Sequence, residues 1–277
     1  MPDSILLFFA VAAYLIAFGL IAARFRDDQS RSGANNVEGQ SYRIPFAIAL
    51  AAAASHLLYA YRIGLSDGGI NFSLSTMSAI VSGMLMVVYL LACLAMPIKR
   101  LGLIVFPLTA LSVLFSAVWA SEENYLRHYG PAFSAHVLVA LLAYSLLAIA
   151  SIQALLYVYQ EKQLKTRPVP AWLRALPPLQ TMEDLLFRLI IAGFALLSLT
   201  LLTGALFSQQ IFGQPFEFNH HTVFALLGWM VFATLLVKRF REGLRGSQAV
   251  IWTLAGFILI QLGYFGTKIV SESLNIQ

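Results

Sequence analysis

Residues Phe133 to Tyr159 read FSAHVLVALLAYSLLAIASIQALLYVY. The stretch has 27 residues, no Asp, Glu, Lys or Arg, and one imidazole, His136. About 20 mostly apolar residues cross a hydrocarbon core roughly 30 Å thick. The stretch therefore predicts a membrane-spanning helix that runs on beyond the bilayer. A helix is required because an open sheet edge in lipid leaves backbone groups unpaired. Working outward, similar segments occur at 4–24, 45–64, 72–95, 101–118, 185–208, 221–237 and 248–267. The segment at 101–118 is the weakest of these, because Pro107 interrupts it. The expectation is an all-α integral membrane protein of about eight transmembrane helices, forming one domain over residues 1–277.

Composition points the same way. Of 277 residues, 59% are hydrophobic and 11% charged, and mean hydropathy is +0.77. Soluble domains carry about 25% charge and 45–50% apolar residues, so an ordinary soluble enzyme, a disordered chain and a collagen-like fibre are excluded. The lone cysteine, Cys93, excludes an internal disulfide, a CxxC redox pair and a multi-cysteine metal site. The net charge of +5 is no nucleic-acid signal. Lys and Arg collect in cytoplasmic loops of membrane proteins. Here the connections 25–44, 96–100, 160–184 and 238–247, with their flanks, hold fifteen of the eighteen, against Arg62, Arg127 and Lys268 on the other side. This bias predicts that both termini lie outside, on the periplasmic face of a bacterial inner membrane. The first span is preceded by Asp3 and no basic segment, so it reads as a retained helix rather than a cleaved signal. There is no P-loop, GxSxG, HExxH or dinucleotide fingerprint.

The five histidines carry the chemistry. On this topology His56 sits just outward of the middle of the second span, and His136 opens the fifth. His220 and His221 open the seventh, and His128 lies in the outer loop 119–132. Ionisable groups within spans usually face a bundle interior or cavity, and imidazole ligates metals and haem iron. At 100° per residue, Ala143, Ala140 and Tyr144 fall about 20°, 40° and 80° from His136 on the helix surface. That stripe of small and polar groups suits contact with other helices. Packing accounts for the small residues but not for the imidazole. His220 and His221 read equally as interfacial caps or as ligands, and adjacent helical residues diverge too far for both to enter one site. Trp119, Phe216 and Phe218 belong to aromatic clusters in two outer loops. They read either as an interfacial belt or as a platform for a flat ligand such as a porphyrin.

The run His136-Val-Leu-Val-Ala-Leu-Leu-Ala-Tyr144, continuing to Gln160-Glu-Lys-Gln-Leu-Lys165, resembles the cytochrome c assembly family of CcsA, ResC and HemX. Within that family it resembles the YpjD-like inner membrane branch. His56 has a counterpart there, as do Trp252-Thr-Leu-Ala-Gly-Phe257 and Tyr264-Phe-Gly-Thr-Lys268. The resemblance covers nearly the whole chain. It implies a haem-handling membrane protein in which His136 matches the family's first outer haem-ligand histidine. The haem-handling members carry a tryptophan-rich motif, LSGAxWxxxxWGxxWxWDPKExW. Here Leu202-Thr-Gly-Ala-Leu206 opens that stretch, with Gly213 and Trp229 in register, but its WxWDPKE portion reads Phe216-Glu-Phe-Asn-His-His-Thr222. Two tryptophans are replaced by phenylalanine, an aspartate by asparagine, and two histidines appear. The second outer haem histidine, expected in a GLHSYG-like tail, is missing from Ile269-Val-Ser-Glu-Ser-Leu-Asn-Ile-Gln277.

Two functions follow as expectations. In the first, the protein binds or handles haem near the outer leaflet. His136 is one axial ligand, His220 or His221 the other, His56 a deeper contact, and Phe216, Phe218 and Trp119 the aromatic surround. The protein supplies ligation and orientation rather than catalysis. In the second, it is a haem-free accessory that regulates a partner such as an ion transporter. The expected partners are the lipid bilayer, and haem with cytochrome c biogenesis proteins or another membrane protein; nucleic acid is not among them.

Overall fold

The structure is a computed structural model that describes residues 2–30, 42–66, 69–96, 98–119, 125–126, 130–165, 178–208 and 219–266. The helices are α1 (Pro2–Ser30), α2 (Arg43–Gly64), α3 (Leu74–Ala95), α4 (Gly102–Val118), α5 (Pro131–Leu164), α6 (Leu179–Leu206), α7 (His220–Glu242) and α8 (Ser247–Gln261). Among the described residues, α1 to α7 are each long and apolar enough to cross a membrane. The eighth segment is a shorter apolar helix, continued by a π-helical turn over Leu262–Gly266. The chain is an all-α membrane protein. At 1.5 Å per residue, the 34 residues of α5 extend about 51 Å, well past the hydrocarbon core. Pro107 does not break the fourth span: α4 continues through it.

Local sequence sets the helix ends. Ser73 caps α3, its hydroxyl accepting from the Thr76 amide. Asn219 caps α7, its Oδ1 accepting from the Thr222 amide at 3.0 Å. Gly243, at φ +68°, ends α7 in the left-handed conformation, and Gly246, at φ +65°, precedes α8. Both backbones favour glycine, so α7 and α8 form a tight antiparallel hairpin.

The helices pack as two rings of four. In the first, α1 packs on α2 and α4, α2 on α3, and α3 on α4. In the second, α5 packs on α6 and α8, α6 on α7, and α7 on α8. The seam between the rings is α3 against α5. In the first ring Ala10, Ala13 and Ala17 of α1 and Ala49, Ala52 and Ala53 of α2 are all buried. Small residues of this kind let helix backbones approach in lipid. Tyr14, Tyr89 and Phe106 fill the centre, with Phe106 stacked on Tyr14 and edge-on to Tyr89. Large apolar side chains such as Phe8, Leu94, Phe240 and Ile251 are exposed. In water they would be a liability; facing acyl chains they are solvated.

The two ends of the molecule differ. At one end Lys99 lies over the Tyr42 ring, and Arg239 bridges Glu183 at 2.6 Å while stacking on Phe187. The starts of α3 and α5 lie at the other end, where Phe72 meets Phe133 edge-on at 6.0 Å. There the chain also forms a feature that hydropathy did not suggest, a small antiparallel sheet. Its strands are β1 (Leu65–Ser66), β2 (Gly69–Asn71) and β3 (Tyr125–Leu126), in the order β1-β2-β3, with Ile70 opposite both Leu65 and Leu126. An exposed Arg62–Asp3 pair at 3.3 Å ties the end of α2 to the start of α1.

Candidate functional site

A cavity of about 470 Å³ lies where the second ring meets α3. That volume falls in the range of small-molecule sites, roughly 300–1,000 Å³. His136, Ala140, Ala143, Tyr144 and Leu147 of α5 line one wall, so the stripe read from the sequence faces it. Thr200, Leu201, Gly204 and Ala205 of α6 form a second wall. Asn219, His221, Thr222 and Ala225 of α7 form a third, and Ile260, Gly263 and Phe265 close the side of α8 and its π-turn. From the first ring come Met77 and Val81 of α3 and the preceding Phe72. The described lining includes two imidazoles but no Lys, Arg, Asp or Glu.

His136 lies in the second turn of α5 and is partly buried. Its Nδ1 lies 2.9 Å from the Thr203 hydroxyl. Gly204 clears space for the ring: a Cβ there would sit 3.2 Å from His136 Cε1 and 4.0 Å from Nε2. His221 lies one residue further from the Asn219 cap than His220, and the α7 rotation that the cap starts brings His221 to the cavity wall. His220 is exposed and is not among the lining residues; its ring lies 4.5 Å from that of His221. The capping role considered for the histidine pair belongs to Asn219. The Tyr144 hydroxyl donates to Gln261 Oε1, and its ring packs against Phe257 and Phe265. Trp229 Nε1 donates to Ser198 at 2.8 Å and stacks on Phe194, which fixes α7 against α6.

The remaining candidate residues lie elsewhere. His56 is fully buried in the first ring, away from the cavity lining. Its Nδ1 is 3.3 Å from the Tyr14 hydroxyl, and its Nε2 has no hydrogen-bond partner. Trp119 is exposed at the end of α4 and stacks on Phe115, also apart from the lining. Phe216, Phe218 and His128 lie outside the described residues. Sequence reasoning missed Thr203 and Gly204 as site residues, although both stand in the Leu202–Leu206 motif, and it missed the contribution of α3. The signal was the spacing of Thr200 and Gly204, four apart on one face of α6.

The donor set constrains what could be held here. Among the described residues, no three His, Cys, Asp or Glu side chains come together, which leaves no multi-carboxylate or multi-histidine metal site. Haem iron needs only one or two protein ligands. Two imidazoles on different helices of one apolar cavity, with one ring cradled by a glycine, suit that requirement.

Comparison with known proteins gives the wider context. The cytochrome C assembly protein family matches residues 44–275. Inner membrane protein YpjD of Escherichia coli K12 is 28% identical over 275 residues, covering 96% of this chain and 97% of that protein. Cytochrome c biogenesis protein CcsA of Chlamydomonas reinhardtii is 26% identical, covering 68% of this chain and 54% of that protein. Protein HemX of Brevibacillus brevis is 25% identical, covering 47% and 48%. No solved structure matches the chain. Its apolar helices and its likeness to the E. coli protein make it a multi-pass protein of the bacterial inner membrane. With the family matched across most of its length, the chain belongs to the cytochrome c assembly family.

Proposed function

We propose that the protein binds haem in the cavity between α3, α5, α6 and α7, where His136 and His221 would hold its iron. The observation that carries this reading is that these two imidazoles, 85 positions apart in sequence, line one apolar cavity. The family adds to it, since relatives are named for cytochrome c biogenesis. When bound, haem would supply a redox-active iron, and the protein would supply ligation and orientation. His136 would be held by Thr203, and His221 by the capped first turn of α7. Tyr144, Phe133 and Phe265 would offer flat apolar contact to the macrocycle. The excess of basic residues in the connections at the opposite end supports a periplasmic position for this cavity.

Titration of the detergent-purified protein with haemin tests the reading. A Soret band that saturates at one equivalent, and is lost or shifted in His136→Ala and His221→Ala, supports it. No saturable band, or one indifferent to both substitutions, overturns it. The replacement of the tryptophan-rich motif at 216–222 favours a second reading, a haem-free accessory protein that acts on a membrane partner. A haemin-indifferent protein that co-purifies stoichiometrically with such a partner would support it.

A further inference from the structure

The hydroxyl of Thr203 has one proton and three close neighbours. Its Oγ1 lies 2.8 Å from the Leu199 carbonyl oxygen, 3.1 Å from the Thr200 carbonyl oxygen and 2.9 Å from His136 Nδ1. A hydroxyl donates once and accepts through two lone pairs. Two oxygens 2.8 Å apart need a proton between them, since their lone pairs otherwise repel. Carbonyl oxygens have none to give. The Thr203 proton therefore points back along α6 to the carbonyls, as threonines in helices commonly arrange it. The hydroxyl can then only accept from the imidazole. Nδ1 must carry the hydrogen, which puts the ring's lone pair on Nε2. Gly204 follows immediately, and its missing Cβ leaves room for the edge of the ring that carries Nε2 and Cε1.

From this geometry we infer that Thr203 is a positioning residue that fixes the tautomer and direction of His136, presenting Nε2 as a ligand nitrogen to the cavity. The role of that nitrogen rests on the haem reading above; the tautomer does not. Hydrogen-bond partners behind a ligating histidine commonly set its orientation and basicity, and their loss costs about 10–100-fold in metal affinity.

The test uses full-length, detergent-purified protein labelled with ¹⁵N-histidine and free of haemin. Nitrogen NMR reports which ring nitrogen carries the proton, and the His136→Gln spectrum assigns the signal. The expected wild-type result is His136 protonated at Nδ1. Thr203→Val, which keeps the shape and removes the hydroxyl, should move the proton partly or wholly to Nε2, and should weaken haemin binding about 10–100-fold. Thr203→Ser should restore both. Should Thr203→Val fail to fold, Thr203→Ala takes its place. A wild-type His136 protonated at Nε2, or a tautomer unmoved by loss of the hydroxyl, overturns the inference. The expected tautomer shifts without haemin binding by any form would instead overturn the haem reading and leave the positioning role standing.

Discussion

Gly193 of α6 sits against Leu147 of α5, so Gly193→Ala probes both the packing of the second ring and the wall of its cavity. A Cβ at 193 would lie 2.7 Å from Leu147 Cδ2, 2.8 Å from Cγ and 3.4 Å from Leu146 Cβ, where ordinary contact is 3.4–4 Å. Cγ is the branch point of the side chain, so rotating the tip cannot relieve the clash. Leu147 is fully buried and lines the cavity, which leaves it little room to retreat except into that space. Overpacking of this kind costs about 1–3 kcal/mol. At about 2 kcal/mol the ratio of folded to unfolded protein falls roughly 30-fold. Leu147→Ala alone should cost about 2–5 kcal/mol by leaving a void. In the double variant the new methyl occupies part of that void, so the two costs should fall short of adding by about 0.5–3 kcal/mol. Unfolding in mixed micelles of dodecyl maltoside and SDS, followed by far-UV circular dichroism, measures all four corners of the cycle. Gly19→Ala serves as control, because a Cβ there meets nothing within 4 Å. A Gly193→Ala variant as stable as wild type, or costs that add to within about 0.5 kcal/mol, would refute the claim that α5 and α6 meet at this glycine.

Other consequences are equally direct. Arg239→Ala leaves Glu183, which is 12% exposed, with Arg245 at 4.0 Å in place of the 2.6 Å bond and should cost about 1.5–3 kcal/mol; adding Glu183→Gln should recover most of it, and an unchanged unfolding midpoint would show the pair to be idle. Reporter fusions at residue 1 and after residue 277 should both read as periplasmic, and a fusion within 166–177 as cytoplasmic; a cytoplasmic residue 1 with a periplasmic 166–177 fusion would reverse the side assigned to the cavity. His220→Ala should leave haemin binding as in wild type while His221→Ala weakens it, and the opposite ranking would mean that α7 is rotated from the orientation described.

Much of this architecture was legible because lipid makes strong demands on sequence. A run such as Phe133–Tyr159 has few alternatives to a spanning helix, and the spacing of His136, Ala140, Ala143 and Tyr144 already marked the face that meets the cavity. Pro107 misleads because loss of one amide hydrogen bond need not end a helix whose packing holds it, and Phe106 beside it is fully buried. The sheet of 65–66, 69–71 and 125–126 was invisible because its strands are two or three residues long and the pairing of β2 with β3 spans more than fifty positions in sequence. His220 and His221 could not be told apart because the choice depends on how α7 is turned. That is decided by the Asn219 cap and by close packing of Gly228 against Ile260 and of Gly256 against Phe232. Thr203 escaped notice for a related reason: a threonine in a span reads as a self-satisfied packing residue until a partner 67 positions away is seen beside it.

The central claim is that one iron can be held by His136 and His221 together. Electron paramagnetic resonance of the purified protein, loaded with one equivalent of ferric haemin, addresses it most directly. Wild-type protein should give the low-spin signal of iron with two axial nitrogens. His136→Ala and His221→Ala should each lose that signal in favour of high-spin iron, while His220→Ala keeps it. A high-spin or unbound spectrum for the wild type, or a low-spin signal that survives both substitutions, would contradict the claim.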